Sequence, residues 1–408
     1  MFLTGTMLIE NRRNGIKDHQ YARENDPLVV NAHHNIIEGN NQWPRLLLAF
    51  MSLALVVYYR NHLLHNIKTV TYFQSIDTTT HGINEYIYPG QIFYDVDGEP
   101  INAHGAGFLH YNNTYYWYGE IKQGETYLPE ANARWGGTRV DFVGISCYMS
   151  TDLLNWRKCN VFNVLPAVNE DPSDDLHWSK VGERPKVIYN ANTGKFVMWL
   201  HIDTMDYQLA YCGVATSDSP EGPFTYLGSF RPGGQMARDL TVFVDDDSEA
   251  YLFTSSEDNS VMHVSKLTDD YLDVNDHFER IFIGDYVEAP VVFKKDGLYH
   301  FIGSGCTAWY PNPAKSAAAR SIWGPWNISY NPCKGDDANT TFHSQSTFVI
   351  PVSNFNHQET LYIFAADQWN MNNLSDSRYV WLPISFDSAG DDVGIYWHDQ
   401  WRPMDFII

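Results

Sequence analysis

From Gln91 onward the chain alternates apolar and polar positions in short runs broken by turn residues about every ten positions, a pattern that predicts strands and little helix. One unit recurs. A short apolar strand, a polar turn and a second strand of alternating aromatic and aliphatic residues appear as HGAGFLHYNNTYYWYG from His104, ERPKVIYNANTGKFVMWLH from Glu183 and DLTVFVDDDSEAYLFTS from Asp239. The unit returns as EAPVVFKKDGLYHFIGS from Glu288 and QSTFVIPVSNFNHQETLYIFAA from Gln345. Five copies, roughly 50 to 80 residues apart, predict five similar sheets, and hence an all-β, five-bladed β-propeller over residues 89–408. The stretches from Val143 to Trp156 and from Tyr211 to Gly228 read as outer hairpins. A β-sandwich is the alternative, but five repeats of one unit are hard to place in it.

In a propeller the first strand of each blade lines the channel, and its first residue stands at one rim. His104, Glu183, Asp239, Glu288 and Gln345 hold those positions, and all are polar. Polar groups heading apolar strands are costly unless they face water or one another, so their convergence on one axis marks a candidate site. Pro290 is expected to hold Ala289 extended and thereby fix Glu288, and Pro185 to act on Glu183 in the same way.

The pattern before the propeller is different. Residues 1–42 are polar and aperiodic and read as a disordered cytosolic tail. Residues 43–60, WPRLLLAFMSLALVVYYR, carry an apolar run flanked by Arg45 and Arg60, which reads as an uncleaved signal-anchor helix; residues 61–88 then form a lumenal stem. A short span suits the thinner early secretory membranes, so a type II, single-pass Golgi protein is expected. Asn112, Asn327, Asn339 and Asn373 begin N-x-S/T sequons after the anchor. The 5 cysteines permit at most two disulfides; Cys306 with Cys333 is the expected pair, and Cys147 with Cys159 the next.

A formal charge of -22 makes nucleic acid an unsuitable partner. The 15% aromatic content suits carbohydrate, whose apolar ring faces lie on Trp and Tyr, and equally suits a β-rich core. No cysteine or carboxylate group has zinc or calcium-loop spacing, so neither metal nor cofactor is expected.

DVDGEPINAHGAGF, YYWYGE, ARWGGTRVDFVGISCY, GERPKVIYN, RDLTVFVDDD and VEAPVVFKKDGLYHF are spread over the domain and together resemble glycoside hydrolase family 43, most closely its exo-β-1,3-galactanase branch in the plant Golgi form that trims arabinogalactan proteins. The resemblance implies an inverting exo-hydrolase releasing galactose from β-1,3-galactan. Glu288 would be the general acid and Asp239 the carboxylate that orients it. Most of the family places an Asp base early in the first blade. Here that segment is Ala103, His104, Gly105, and the branch implies Gln345 as base through its imidic acid tautomer, with Glu183 the next candidate. Glu183, Glu120, Tyr207 and His104 would bind substrate, Trp135 and Trp309 would stack on sugar rings, and His343 resembles an axial histidine that organises water or a cation.

Two other readings remain: an arabinofuranosidase or xylosidase of the same fold, which the missing first-blade Asp disfavours, and a glycan-binding propeller without catalysis. The pairing of Glu288 with Asp239 favours an enzyme, since a binder needs no tuned acid.

Overall fold

Among residues 84–128, 138–329, 331–353, 360–388, 390 and 392–407, which the computed structural model describes, the strands form five sheets. Blade 1 runs outward through β1 (His104–Tyr111), β2 (Thr114–Glu120), β3 (Gly144–Ser150) and β4 (Arg157–Pro166). Blade 2 follows with β5 (Val181–Asn190), β6 (Lys195–Asp203), β7 (Tyr211–Ser217) and β8 (Thr225–Phe230). Blade 3 holds β9 (Leu240–Val244), β10 (Ala250–Ser256), β11 (Val261–Leu267) and β12 (Val274–Ile281), and blade 4 holds β13 (Val287–Lys295), β14 (Leu298–Gly305), β15 (Lys315–Ala319) and β16 (Asn327–Ser329). Blade 5 is entered at its outer edge by β17 (Cys333–Lys334). It then builds from β18 (Gln345–Ser353) through β19 (Thr360–Gln368) and β20 (Arg378–Phe386) to β21 (Val393–Tyr396), which pairs in parallel with β17.

The burial of each strand follows its place in the blade. β6 is buried along nearly its whole length because neighbouring blades cover both of its faces, whereas β12 at an outer edge is mostly open to water. The innermost strands close a ring: β1 packs on β5, β5 on β9, β9 on β13, β13 on β18, and β18 on β1.

Blades 1 and 5 close the ring through an aromatic cluster. Trp117 lies 4.8 Å from Trp381 and 4.9 Å from Tyr379, ring to ring, and each such pair adds about 0.5–1.5 kcal/mol to its area burial. The Tyr379 hydroxyl donates to Ile101 O at 3.0 Å and accepts from Ala103 N at 2.9 Å. Ile87 N donates to Trp401 O at 2.7 Å, so the chain joins the propeller inside the segment expected as stem.

The tail, the anchor at 43–60 and the stem up to residue 83 lie outside the described residues, as does Trp135. No helix among the described residues is long and apolar enough to cross a membrane. The four sequon asparagines are exposed.

One expected cysteine pair is overturned. Cys333 is buried among the apolar side chains between blades 4 and 5, while Cys306 follows β14 near Glu288, so the two thiols are free and serve different places. Cys147 and Cys159 are also free thiols, facing each other across β3 and β4 with their sulfurs 2.7 Å apart.

Candidate active site

β1, β5 and β13 open with the same backbone device. Their registers shift just after the head residue, between His104 and Gly107, Glu183 and Lys186, and Glu288 and Val291. The residue that follows each head is left-handed: Gly105 at φ 59°, Arg184 at φ 56° and Ala289 at φ 53°. Pro185 and Pro290 therefore do not leave their predecessors extended, contrary to the expectation from sequence.

Carboxylates impose the left-handed turn. Gly105 N donates to Asp367 Oδ2 at 2.7 Å, Arg184 N to Glu120 Oε1 at 3.1 Å and Ala289 N to Asp239 Oδ2 at 3.0 Å, in each case a carboxylate from the preceding blade. Hydrogen bonds to charged groups contribute about 1.5–3 kcal/mol, enough to offset the roughly 1–2 kcal/mol cost of a left-handed L-residue. The bulges turn the strand heads inward and bring Glu183, Asp239, Glu288 and Gln345 together.

Glu288 accepts from Gln345 Nε2 at 3.1 Å and from Asn259 Nδ2 at 3.4 Å. Burial first, then the Asp239 carboxylate, pushes its pKa up to about 8. Gln345 is fixed from its other end: Arg184 Nη2 donates to Oε1 at 2.6 Å and Trp369 Nε1 at 3.0 Å. Arginine and tryptophan only donate, so Oε1 must face them and Nε2 must face Glu288. Arg184 Nη2 also pairs with Asp239 Oδ2 at 3.1 Å. Arg238, adjacent in sequence, instead reaches Tyr207 O and Asp258.

Across the cleft, Glu183 Oε1 accepts from the Tyr207 hydroxyl at 3.1 Å and lies 3.6 Å from Lys122 Nζ. Burial leads the causes that raise the Glu183 pKa. Lys122 binds Glu120 Oε2 at 2.6 Å and stands 5.8 Å from the rings of both Trp309 and Trp369. Burial works against its charge, but Glu120 and Glu183 hold its pKa above the ordinary value. Trp309 and Trp369 meet edge to face at 5.1 Å and, with Tyr310, Asn312 and His343, line an open pocket beside Gln345.

Other expected site residues take different places. Glu120 is 4% exposed with both oxygens engaged, so it braces Arg184 and Lys122 from beneath. His104 is buried, with Nδ1 2.9 Å from Asp367 Oδ1 and its ring stacked on Tyr379. That seals it behind the cleft. His343 is exposed, with its Nε2 3.4 Å from Asp337, and lines the pocket beside Gln345.

Glu183, His201 and Asp239 offer ligand atoms within 4.8 Å of one another. Lys122 and Arg184 already supply positive charge there, so a dication would enter against two cations. We therefore do not assign these residues as metal ligands.

Sequence reasoning missed Arg184, Trp369, Lys122, His201 and Asp203. One signal was present: Lys122 follows Glu120, and Asp203 follows His201, at the two-residue spacing that shares a strand face.

The profile of glycosyl hydrolases family 43 matches residues 107–373. The chain belongs to that family. It is a glycoside hydrolase. A family 43 β-1,3-galactosidase solved with galactodeoxynojirimycin is 39% identical over 78% of this chain and 100% of its own, with a TM-score of 0.70. A variant of the exo-β-1,3-galactanase from Phanerochaete chrysosporium, solved with β-1,3-galactotriose, is 35% identical over 78% of this chain and 68% of its own, with a TM-score of 0.67. A β-D-galactofuranosidase from Aspergillus niger is 27% identical over 217 residues, 50% of this chain and 61% of that relative, so the match spans less than two thirds of its length.

Proposed function

We propose that this hydrolase releases galactose from the ends of β-1,3-galactan chains, as found in arabinogalactan proteins, with inversion of the anomeric carbon. Glu288 is the general acid. The observation that carries the assignment is the burial of Glu288 beside Asp239, which pushes its pKa up to about 8 so that it stays protonated near neutral pH, while Asp239 pairs with Arg184 at 3.1 Å. Trp309 and Trp369 offer ring faces for the sugar, and the β-1,3-galactan-active relatives support the substrate class. The apolar run at 43–60 and the exposed sequons support membrane anchoring with a lumenal catalytic domain in the Golgi.

The base has two assignments. Gln345 is the one the family resemblance supports. Its Nε2 lies 3.1 Å from Glu288 Oε1, whereas an inverting pair stands about 6.5–9.5 Å apart to admit a water, so Gln345 must exchange that contact for water to act. Glu183 is favoured by a different observation, since its Oε2 accepts no hydrogen bond among the described residues.

Proton NMR of sugar released from linear β-1,3-galactan tests the reading. Wild type should free α-galactose and Glu288→Gln should not; binding without release would leave the glycan-binding alternative standing. Azide separates the bases, because it attacks without deprotonation: the base variant, Glu183→Ala or Gln345→Ala, should be rescued as α-galactosyl azide and the other should not.

A further inference from the structure

His201 and Asp203 stand two residues apart on β6 and are 1% and 0% exposed. His201 Nε2 lies 2.9 Å from Asp203 Oδ2, while Asp203 Oδ1 accepts the backbone N–H groups of Thr204 and Leu209 at 2.8 Å each. Asp203 is thus an ionised acceptor. The other ring nitrogen, Nδ1, has no hydrogen-bond partner and lies 3.8 Å from Glu183 Oε2.

A neutral imidazole carries one N–H and one lone pair. Either tautomer would aim that lone pair at a carboxylate, Asp203 or Glu183, and only the imidazolium presents an N–H to both. The remaining groups around the ring agree. Asp239 is a further nearby carboxylate, the Tyr207 ring stands at 5.8 Å, and the cross-strand neighbour Cys212 is a thiol that burial keeps protonated. Lys122 is shared, closer to Glu120 at 2.6 Å than to Glu183 at 3.6 Å, and Arg184 is taken by Asp239. Glu183 therefore shares Lys122 with Glu120, and His201 would supply a second cation on the side of its Oε2.

We propose that His201, held by Asp203, is a positioning residue that carries a fixed positive charge behind Glu183 and keeps Glu183 ionised as an acceptor in the cleft. The inference rests on the reading of this cleft as the sugar site. Burial works against a charged ring, but Asp203 and then Glu183 outweigh it, and His201 is held above its ordinary value. With Glu183 ionised, its Oε2 is open to a sugar hydroxyl or to the attacking water.

The test compares full-length wild type with His201→Gln and Asp203→Asn through the pH dependence of kcat/KM on β-1,3-galactooligosaccharides. An opposite charge within about 4–6 Å lowers a carboxyl pKa by 1–3 units, so losing it should move the acidic limb of His201→Gln upward by about one pH unit. Asp203→Asn should move it less, and the basic limb set by Glu288 should stay in place. A uniform fall with unmoved limbs would overturn the proposal and leave a structural role. Nitrogen-15 NMR of the imidazole gives a readout independent of turnover: His201 should be doubly protonated at pH 7.5 in wild type and lose a proton in Glu183→Gln, while a neutral ring in wild type would overturn the proposal. Wild type inactive on galactan would instead sink the substrate assignment, with the NMR result still deciding the charge.

Discussion

Gln345 gives its amide N–H to Glu288 at 3.1 Å while its carbonyl oxygen receives Trp369 at 3.0 Å, so an indole from blade 5 sets the orientation of the amide that faces the acid of blade 4. Trp369→Phe keeps the ring and removes that donor. The loss of one hydrogen bond, about 1 kcal/mol, should lower kcat about fivefold with little change in KM. An unchanged kcat would show that Arg184 alone fixes the amide.

Glu288 must be protonated to act, and its pKa lies near 8. Activity should therefore fall as pH rises through about 8. In Asp239→Asn the like charge that raises Glu288 is gone, so the basic limb should move to lower pH, alongside a loss of kcat. A pH–rate profile of wild type and variant checks both directions.

The same shift bears on stability. The folded pKa of Glu288, about 8, exceeds the ordinary 4.5, so the native state holds its proton where the unfolded state has lost it. The stabilising contribution is full below pH 4.5 and is lost as pH rises through about 8. Glu288→Gln cannot ionise, so its melting temperature should fall less than that of wild type between pH 5 and pH 8. Parallel curves would contradict the linkage.

Gly105 is left-handed at φ 59°, and a Cβ there would strike the Glu120 carboxylate. Gly105→Ala should cost at least about 1–2 kcal/mol from the backbone alone. Because Glu120 holds both Arg184 N and Lys122, the change should also lower activity more than it lowers the melting temperature would suggest. Denaturant unfolding and turnover measured on one preparation separate the two effects.

Cys147 and Cys159 face each other within blade 1, and Cys306 and Cys333 do not. Refolding with glutathione disulfide should join Cys147 to Cys159, closing a short loop for a gain of about 2–3 kcal/mol, while the other thiols remain titratable. Peptide mapping would show the cross-link; a bond between Cys306 and Cys333 would contradict the placement seen here.

The strand heads Glu183, Asp239, Glu288 and Gln345 were legible in the sequence, because a polar residue opening an apolar run stands out and the five-fold recurrence aligned them. Trp369 and Arg184 were not. Nothing in the stretch around Trp369 distinguishes it from a core indole, and Arg184 reads as a spacer between Glu183 and Pro185. His104 was misplaced for the converse reason: it heads a strand as the others do, but Asp367 and Tyr379, over 260 residues away, bury it.

By itself the sequence determined the five-fold β architecture, the acidic surface charge and which polar residues open each inner strand, since alternation and turn spacing are local properties of the chain. The tertiary structure decided the left-handed bulges at Gly105, Arg184 and Ala289, the donors that orient Gln345 and the charge environment of Glu288 and Glu183. The bulges and the pairing of Glu288 depend on carboxylates brought from a neighbouring blade, and the Arg184 guanidinium reaches Gln345 from blade 2, so closing the ring is what puts those groups within hydrogen-bonding distance; the Trp369 indole comes from Gln345's own blade.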